Sequence, residues 1–364
     1  MEGASLRLLM VANKLAPMGG AESQLVHLST GLAANGHQVT VCAMDFSRVE
    51  PSYYEHLSME VIELGIANRF RRPLALPRLI SLARAAEIVH CTMFDSSLWG
   101  RLAAIAARRP VIVADHATDR VIQLGTDGRS RGDLIALHNR WLDRFTYATV
   151  ACASEQLGTL LGEGVAPEKI VEIPNGIPLG PVREGAERAR SRADLGLPPE
   201  GRIAIQIGLF RPEKNQLGAL EAFAAVRAAV PDTHLVFVGG GGMLGEVEAR
   251  ADELGARAWV HFLGLRRDVP ALLAHSDLML LPSANEAMPM TVLEAMAVGV
   301  PVLASDVGDV RRTLGEAGVT VPPNDLEALS AQCIRLLGSP EESRRMGAIG
   351  AERAGSYDAA AMVH

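Results

Sequence analysis

Short apolar runs alternate with longer amphipathic segments from one end of this chain to the other, and that alternation restricts the fold more than any other feature. Candidate strands fall at 6–12, 38–44, 60–64, 87–91, 110–114, 148–152 and 170–173. Between them lie helical patterns at 20–35, 77–86, 97–108, 133–146 and 154–163. The runs are rich in Val, Ile and Leu with little polar alternation, which is how strands covered on both faces read. Strands that alternate with helices in this way imply an α/β fold with a doubly wound parallel sheet.

Pro174-Asn175-Gly176 closes the first series with turn chemistry. The pattern then restarts, with strands expected at 202–208, 234–238, 258–263, 277–281 and 301–304 and helices at 215–229, 243–254, 268–275, 290–298, 325–337 and 340–353. The expectation is therefore two Rossmann-like domains, 1–176 and 201–355, joined by a connector at 177–200 and followed at 356–364 by the start of a terminal helix cut short. A chain of 364 residues exceeds what one core commonly serves. Open parallel sheets bind ligands at the carboxyl ends of their strands, so a central cleft faced by both domains is the expected site.

Composition removes several classes. A net charge of −7 argues against a nucleic-acid binder. Cys42, Cys91, Cys152 and Cys333 form no C-x-x-C pair, which fits neither a disulfide framework nor a zinc site and suits a reducing, cytoplasmic setting. Leu6–Ala12 has the apolarity of a short signal-peptide core, but its place before a Gly-rich turn reads as a first buried strand. No apolar run reaches the ~18 residues that span a bilayer. Lysine occurs only at Lys14, Lys169 and Lys214, in a chain rich in arginine.

Four segments carry candidate chemistry. Gly19 and Gly20, followed by Ala21 and Glu22, lie at a strand-to-helix turn where backbone amides can approach an anion; the alternative is a plain tight turn. Arg211 and Lys214, three residues apart on the loop after strand 202–208, present two cations suited to a diphosphate, or else form a solvated loop. Gly239 opens a run of four glycines in which 240–245 matches G-x-G-x-x-G. No acidic ribose partner ends the next strand, so the run reads as close backbone approach near a ligand and not as a nicotinamide fingerprint.

The fourth and strongest runs from Pro282 to Val302. A strand ends, a polar loop carries Glu286, and a helix opens at Met288-Pro289-Met290-Thr291 with Glu294 one turn inside; Gly299 ends it. Free amides of the first turn can receive phosphate, and Glu294 can reach a ribose diol. Two carboxylates flanking a helix start are common, so spacing alone leaves a loop charge and an ordinary helix carboxylate open.

Glu286 and Glu294, followed by Ala295-Met296-Ala297, Gly299 and Pro301-Val302, resemble the Glu-x7-Glu signature of glycosyltransferase family 4, a large group of retaining enzymes with the GT-B fold. Gly19–Glu22, Gly36-His37, Ile173–Ile177 and Pro212–Asn215 fall in that family's order, and the similarity spans residues 6–353. The resemblance implies that the N-terminal domain reads the acceptor and the C-terminal domain holds a nucleotide-sugar donor, with a UDP-sugar favoured. Glu294 would hold the donor ribose and Glu286 the sugar hydroxyls. Lys214, Gly20 and the backbone at 289–291 would bind the diphosphate, and His116 would lie beside the donor sugar. Without the resemblance, His116 reads as a turn residue.

Three positions depart from the family. Leu209 stands where an arginine is usual, with Arg211 two residues on as the substitute. Ala287 stands where a glycine follows the first glutamate. The chain stops at His364 where relatives continue. No D-x-D sequence occurs, so neither a bridging metal nor any other cofactor is expected. The implied reaction is a retaining, metal-independent hexosyl transfer to a glycan, lipid-linked or small-molecule acceptor. The other readings are a catalytically weakened nucleotide-sugar binding protein and a nucleotide-sugar epimerase of the same fold. Asn68–Leu74 joins basic and apolar residues, read as a solvated arginine face or as a peripheral contact with the inner face of the membrane. The acceptor and the oligomeric state are left open.

Overall fold

The computed structural model describes residues 4–15, 19–45, 57, 59–66, 68–115, 140–188 and 191–363. These form two compact units, one of 1–176 with 359–364 and the other of 177–358. His116 and most of the helix expected at 133–146 lie outside the described residues.

The first unit is built on β1 (Arg7–Lys14), β2 (Gln38–Asp45), β3 (Glu60–Glu63), β4 (Ile88–Thr92), β5 (Val111–Asp115), β6 (Thr146–Ala151) and β7 (Ile170–Glu172). All pair in parallel, in the order β3-β2-β1-β4-β5-β6-β7. The continuous apolar run of β1 has a simple cause. Successive side chains point to opposite faces, so Leu9 and Val11 enter one core with Val89 and Val111, while Leu8, Met10 and Ala12 enter the other with Leu25 and Val41.

The second unit repeats the plan with β8 (Arg202–Ile207), β9 (Thr233–Val238), β10 (Val260–Phe262), β11 (Leu278–Leu281), β12 (Val302–Ser305) and β13 (Gly318–Val321). The order is β10-β9-β8-β11-β12-β13, again all parallel. In β8, Ile203, Ile205 and Ile207 face one core and Ala204 the other. The last strand, Gly-Val-Thr-Val, is too short to stand out in the sequence.

Two expectations need correction. Residues 177–200 are not a connector. They contain the helices Leu179–Glu187 and Arg192–Leu195, and Ile177, Leu179, Val182, Leu195 and Leu197 are buried in the second unit's core. The prolines and charges there suggested a linker, but the charges line one side of a helix whose other side is apolar. The tail is divided as well. Tyr357 and Asp358 stay with the second unit, where Ile177 N donates to Tyr357 O at 2.9 Å. The helix Ala359–Val363 belongs to the first unit and packs on the helix Gly20–Ala34. Gly31 permits that contact, since a Cβ there would lie 2.5 Å from Val363 Cγ2.

Candidate functional site

In the second unit the strand order reverses between β8 and β11, which places a crevice at their carboxyl ends. The chain leaves β8 through Gly208 into a short 3₁₀ turn, Pro212–Lys214, and Asn215 follows with φ +51°. The Asn215 side chain accepts from Gly218 N at 3.2 Å and so starts the helix Gln216–Ala229. Gln206, a buried polar residue at the end of an otherwise apolar strand, donates through Nε2 to Lys214 O at 2.8 Å and fastens the turn from below. Ala284 N donates to Glu213 O at 2.8 Å, tying this turn to the loop after β11.

That bracing brings Lys214 and Glu286 together across 72 residues of sequence, with Nζ 2.5 Å from Oε1. The same carboxylate oxygen accepts from Ser283 Oγ at 2.8 Å, and the Glu286 side chain is only 9 % exposed. Charge-assisted bonds of this kind fix both groups in direction as well as position. Arg211 is different. Its guanidinium is exposed, 3.7 Å from Glu213, so it flanks the pair without being locked to it.

The helix Met290–Val298 opens after Pro289, with no side chain capping its first turn, and ends at Gly299 in the left-handed region, φ +82°. Met288, Pro289 and Met290 are buried, and both methionine side chains belong to the core. What this turn can offer a ligand is therefore its backbone amides. The side chains of Thr291, Glu294 and Val298 lie on the single stripe of the helix that the core leaves partly open. Burial pushes the Glu294 carboxyl up to about 7 from its usual 4.5, so it is not the exposed helix carboxylate that spacing alone allowed.

The glycine run makes a close approach within the protein itself. The close approach at Gly239 (φ +146°) is to the protein's own backbone, since a Cβ there would lie 1.9 Å from Gly208 O. Phe210 N donates to Gly240 O at 2.8 Å, so the run seats the turn that carries Arg211 and Lys214. Ala287 is buried and its φ is not positive, so its Cβ is accommodated without strain. Two supports escaped sequence reasoning. Ser283 carried no signal beyond being a polar residue near a strand end. Gly308 (φ +53°) passes so close beneath the Glu286 loop that a Cβ would lie 2.1 Å from Glu286 O.

In the first unit the order reverses between β1 and β4. A cavity of about 170 Å³ opens there, lined by Asn13, Lys14, Glu22, Arg72, Thr92 and Met93 among others. Thr92 is 2 % exposed, and neither its hydroxyl nor Asn13 Oδ1 meets a hydrogen-bond partner among the described residues. Met93 is held at φ 73°, ψ 163°, a conformation close to glycine-only, while Ser97 Oγ donates to its carbonyl at 2.6 Å. Gly19 and Gly20 form the expected turn, with Gly19 capping the helix Gly20–Ala34. The Glu22 side chain folds back over it, and a Cβ on Gly19 would lie 1.8 Å from Glu22 Oε2. Of this cavity's lining, the sequence had named Ala21 and Glu22 beside the glycine turn, Arg72 within the arginine stretch, and Lys14 as one of three lysines.

The family described as glycosyl transferases group 1 matches residues 187–353, and glycosyltransferase family 4 matches residues 18–180. The N-acetyl-alpha-D-glucosaminyl L-malate synthase of Bacillus anthracis is 30 % identical over 91 % of this chain and 87 % of its own length. The chain belongs to glycosyltransferase family 4. The phosphatidyl-myo-inositol mannosyltransferase of Mycobacterium leprae is 26 % identical over 93 % of this glycosyltransferase and 89 % of that protein. A D-inositol 3-phosphate glycosyltransferase of Segniliparus rotundus is 35 % identical, over 52 % of this chain and 44 % of its own. Among solved structures, Anabaena HepE in complex with UDP and glucose superposes with a TM-score of 0.84 at 18 % identity, covering 98 % of this chain and 97 % of that one. The fold of this family 4 enzyme is GT-B, with two Rossmann-like parallel-sheet units.

Proposed function

We propose that this glycosyltransferase is a retaining, metal-independent enzyme that takes a hexosyl group from a nucleotide sugar, with a UDP-sugar favoured. The observation that carries the reading is the Lys214–Glu286 pair at the β8/β11 reversal, with the desolvated Glu294 on the helix that follows. A diphosphate leaving group needs positive charge in place before the bond breaks, and such preorganised charge is the largest single contribution a site of this kind makes. Lys214, Arg211 and the backbone amides of Met290 and Thr291 supply it, and the absence of any D-x-D sequence is why no bridging metal or other cofactor is invoked. Glu286 accepts from the sugar hydroxyls and faces the charge that develops at the anomeric carbon. Glu294 accepts from the ribose diol. As the acceptor oxygen bonds to the anomeric carbon, its proton passes to the departing phosphate oxygen, so the step needs no further base. His116, which lies outside the described residues, is assigned to the donor sugar by the family resemblance alone.

UDP is favoured because HepE, of the same fold, is a UDP complex. The relatives' acceptors, which include an inositol lipid and L-malate, support a hydroxyl acceptor without choosing one. Cys42, Cys91 and Cys333 are buried thiols outside any disulfide, and burial pushes Cys42 and Cys91 up to about 12, which fits a cytoplasmic enzyme. No helix among the described residues is long and apolar enough to cross a membrane.

The test is thermal stabilisation by UDP-, GDP- and ADP-sugars, followed by release of the nucleoside diphosphate and NMR assignment of the product's anomeric configuration. One donor should stabilise the protein and turn over with retention, and Glu294→Ala should lose the stabilisation. Inversion would remove the retaining mechanism. Binding without turnover would leave a nucleotide-sugar binding protein, and interconversion of the free donor an epimerase.

A further inference from the structure

We propose that the segment Asn68–Ala86 is a docking surface for an anionic lipid bilayer. Between Glu63 and Glu87 the sequence carries Arg69, Arg71, Arg72, Arg78 and Arg84 and no acidic residue, in a chain whose net charge is −7. A basic stretch that runs against the overall charge marks a local function more sharply than the same stretch in a basic protein.

The fold divides this segment cleanly into an inner and an outer side. Asn68 caps a 3₁₀ turn, Arg69–Ala75, its side chain accepting from Phe70 N at 2.9 Å, and the helix Leu76–Ala85 continues from it. Ala75, Leu79 and Ala83, spaced by four, are buried in the core, and Arg72 turns inward to line the first unit's cavity. The other side holds Phe70 and Leu74, 80 % and 71 % exposed, with Arg71, Arg78 and Arg84 exposed around them. Phe70 is the most exposed large apolar side chain among the described residues.

The segment's inward stripe anchors it in the core, and Phe70 and Leu74 stand on the exposed side. Two exposed apolar groups on a segment that also exposes three arginines combine both signals that reversible membrane attachment requires: apolar insertion at the headgroup boundary and attraction to anionic lipid. A nucleic acid is the poorer fit, because the charge of the whole chain opposes it and one ring offers a single stacking platform. The proposal stands independently of the transferase reading, because attachment can be measured without turnover.

The experiment is flotation of the full chain with vesicles of phosphatidylcholine alone and of phosphatidylcholine mixed with phosphatidylglycerol, at low and raised salt. The chain should float only with the anionic vesicles, and raised salt should release it. Arg71→Ala, Arg78→Ala and Arg84→Ala should each lower the partition coefficient about fivefold. Phe70→Ser and Leu74→Ser should lower it roughly tenfold, and all five should keep the wild-type melting temperature. The proposal is overturned if the wild type ignores anionic vesicles or if the triple arginine variant floats as the wild type does. Retention on single-stranded DNA without flotation would overturn it as well.

Discussion

The two sheets reverse their strand order at equivalent places, β1/β4 in the first unit and β8/β11 in the second, yet what they gather there differs in kind. In the second unit the groups are already engaged with one another, Lys214 with Glu286 and Glu286 with Ser283. In the first, Thr92 and Asn13 line a cavity, and their buried side-chain oxygens find no partner among the described residues. One fold, used twice, yields a rigid charged constellation and a receptive hollow. Under the proposed function the first receives the donor's diphosphate and the second the acceptor.

The sharpest way to break this contrast is Lys214→Ala. If the ammonium stabilises the leaving diphosphate, kcat should fall by about 10²–10³, some 3–4 kcal/mol. Donor affinity should drop less, and circular dichroism should be unchanged. An unchanged kcat would leave the pair as a structural salt bridge.

Gly308→Ala comes next. It forces a Cβ against the carbonyl of Glu286 at a left-handed φ, so the melting temperature should fall by the equivalent of about 2–3 kcal/mol. Donor binding should weaken with it, since the Glu286 loop must shift. Equal stability would mean that the loop is softer than the bracing suggests.

Glu294→Gln should act in opposite directions on stability and on binding. The carboxyl's folded pKa is raised to about 7 from 4.5, so the native state holds a proton that the unfolded chain releases. Stability contributed by this group therefore falls as pH rises from about 4.5 to 7, and ionised Glu294 destabilises the free protein above that window. The glutamine variant should be more stable by on the order of 2 kcal/mol at pH 8 and by less at pH 5. Wild-type donor affinity should decline below pH 7, where the carboxylate that accepts the ribose hydroxyls is lost, and the variant should bind weakly at every pH. Calorimetric titration across pH reads both.

The smallest effect belongs to the hollow. Thr92→Val removes a buried hydroxyl that meets no partner among the described residues and should leave stability equal or raised by about 1 kcal/mol. Donor binding should be unaffected and the KM for acceptor raised. A change in donor affinity instead would assign the cavity to the donor.

The two sites also differ in how far they could be read. Glu286, Pro289 and Glu294 lie within nine residues of one another, and Lys214 sits in a turn of recognisable composition. A site built from contiguous loop and helix start leaves its mark in the sequence. Asn13, Thr92 and Met93 come from separated segments and belong to no motif, while Glu22 and Arg72 stood out only within the glycine turn and the arginine stretch, with nothing to join them to one cavity. The glycine run illustrates the converse. Its composition signalled close approach to a ligand, and only the fold revealed an approach to the Gly208–Phe210 backbone as well.

What the sequence determined by itself was periodicity: twelve of the strands, the two-unit repeat, the helix Met290–Val298 and its stop at Gly299. Those follow from local rules, because side-chain alternation, helical spacing and the left-handed preference of glycine act over a few residues. Tertiary structure decided the rest: that 177–200 belongs to a core, that the last helix returns to the first unit, that Glu294 is desolvated and that Lys214 meets Glu286. Each of these depends on which distant segment supplies the other half of a contact, and burial is a property of that pairing rather than of any residue alone.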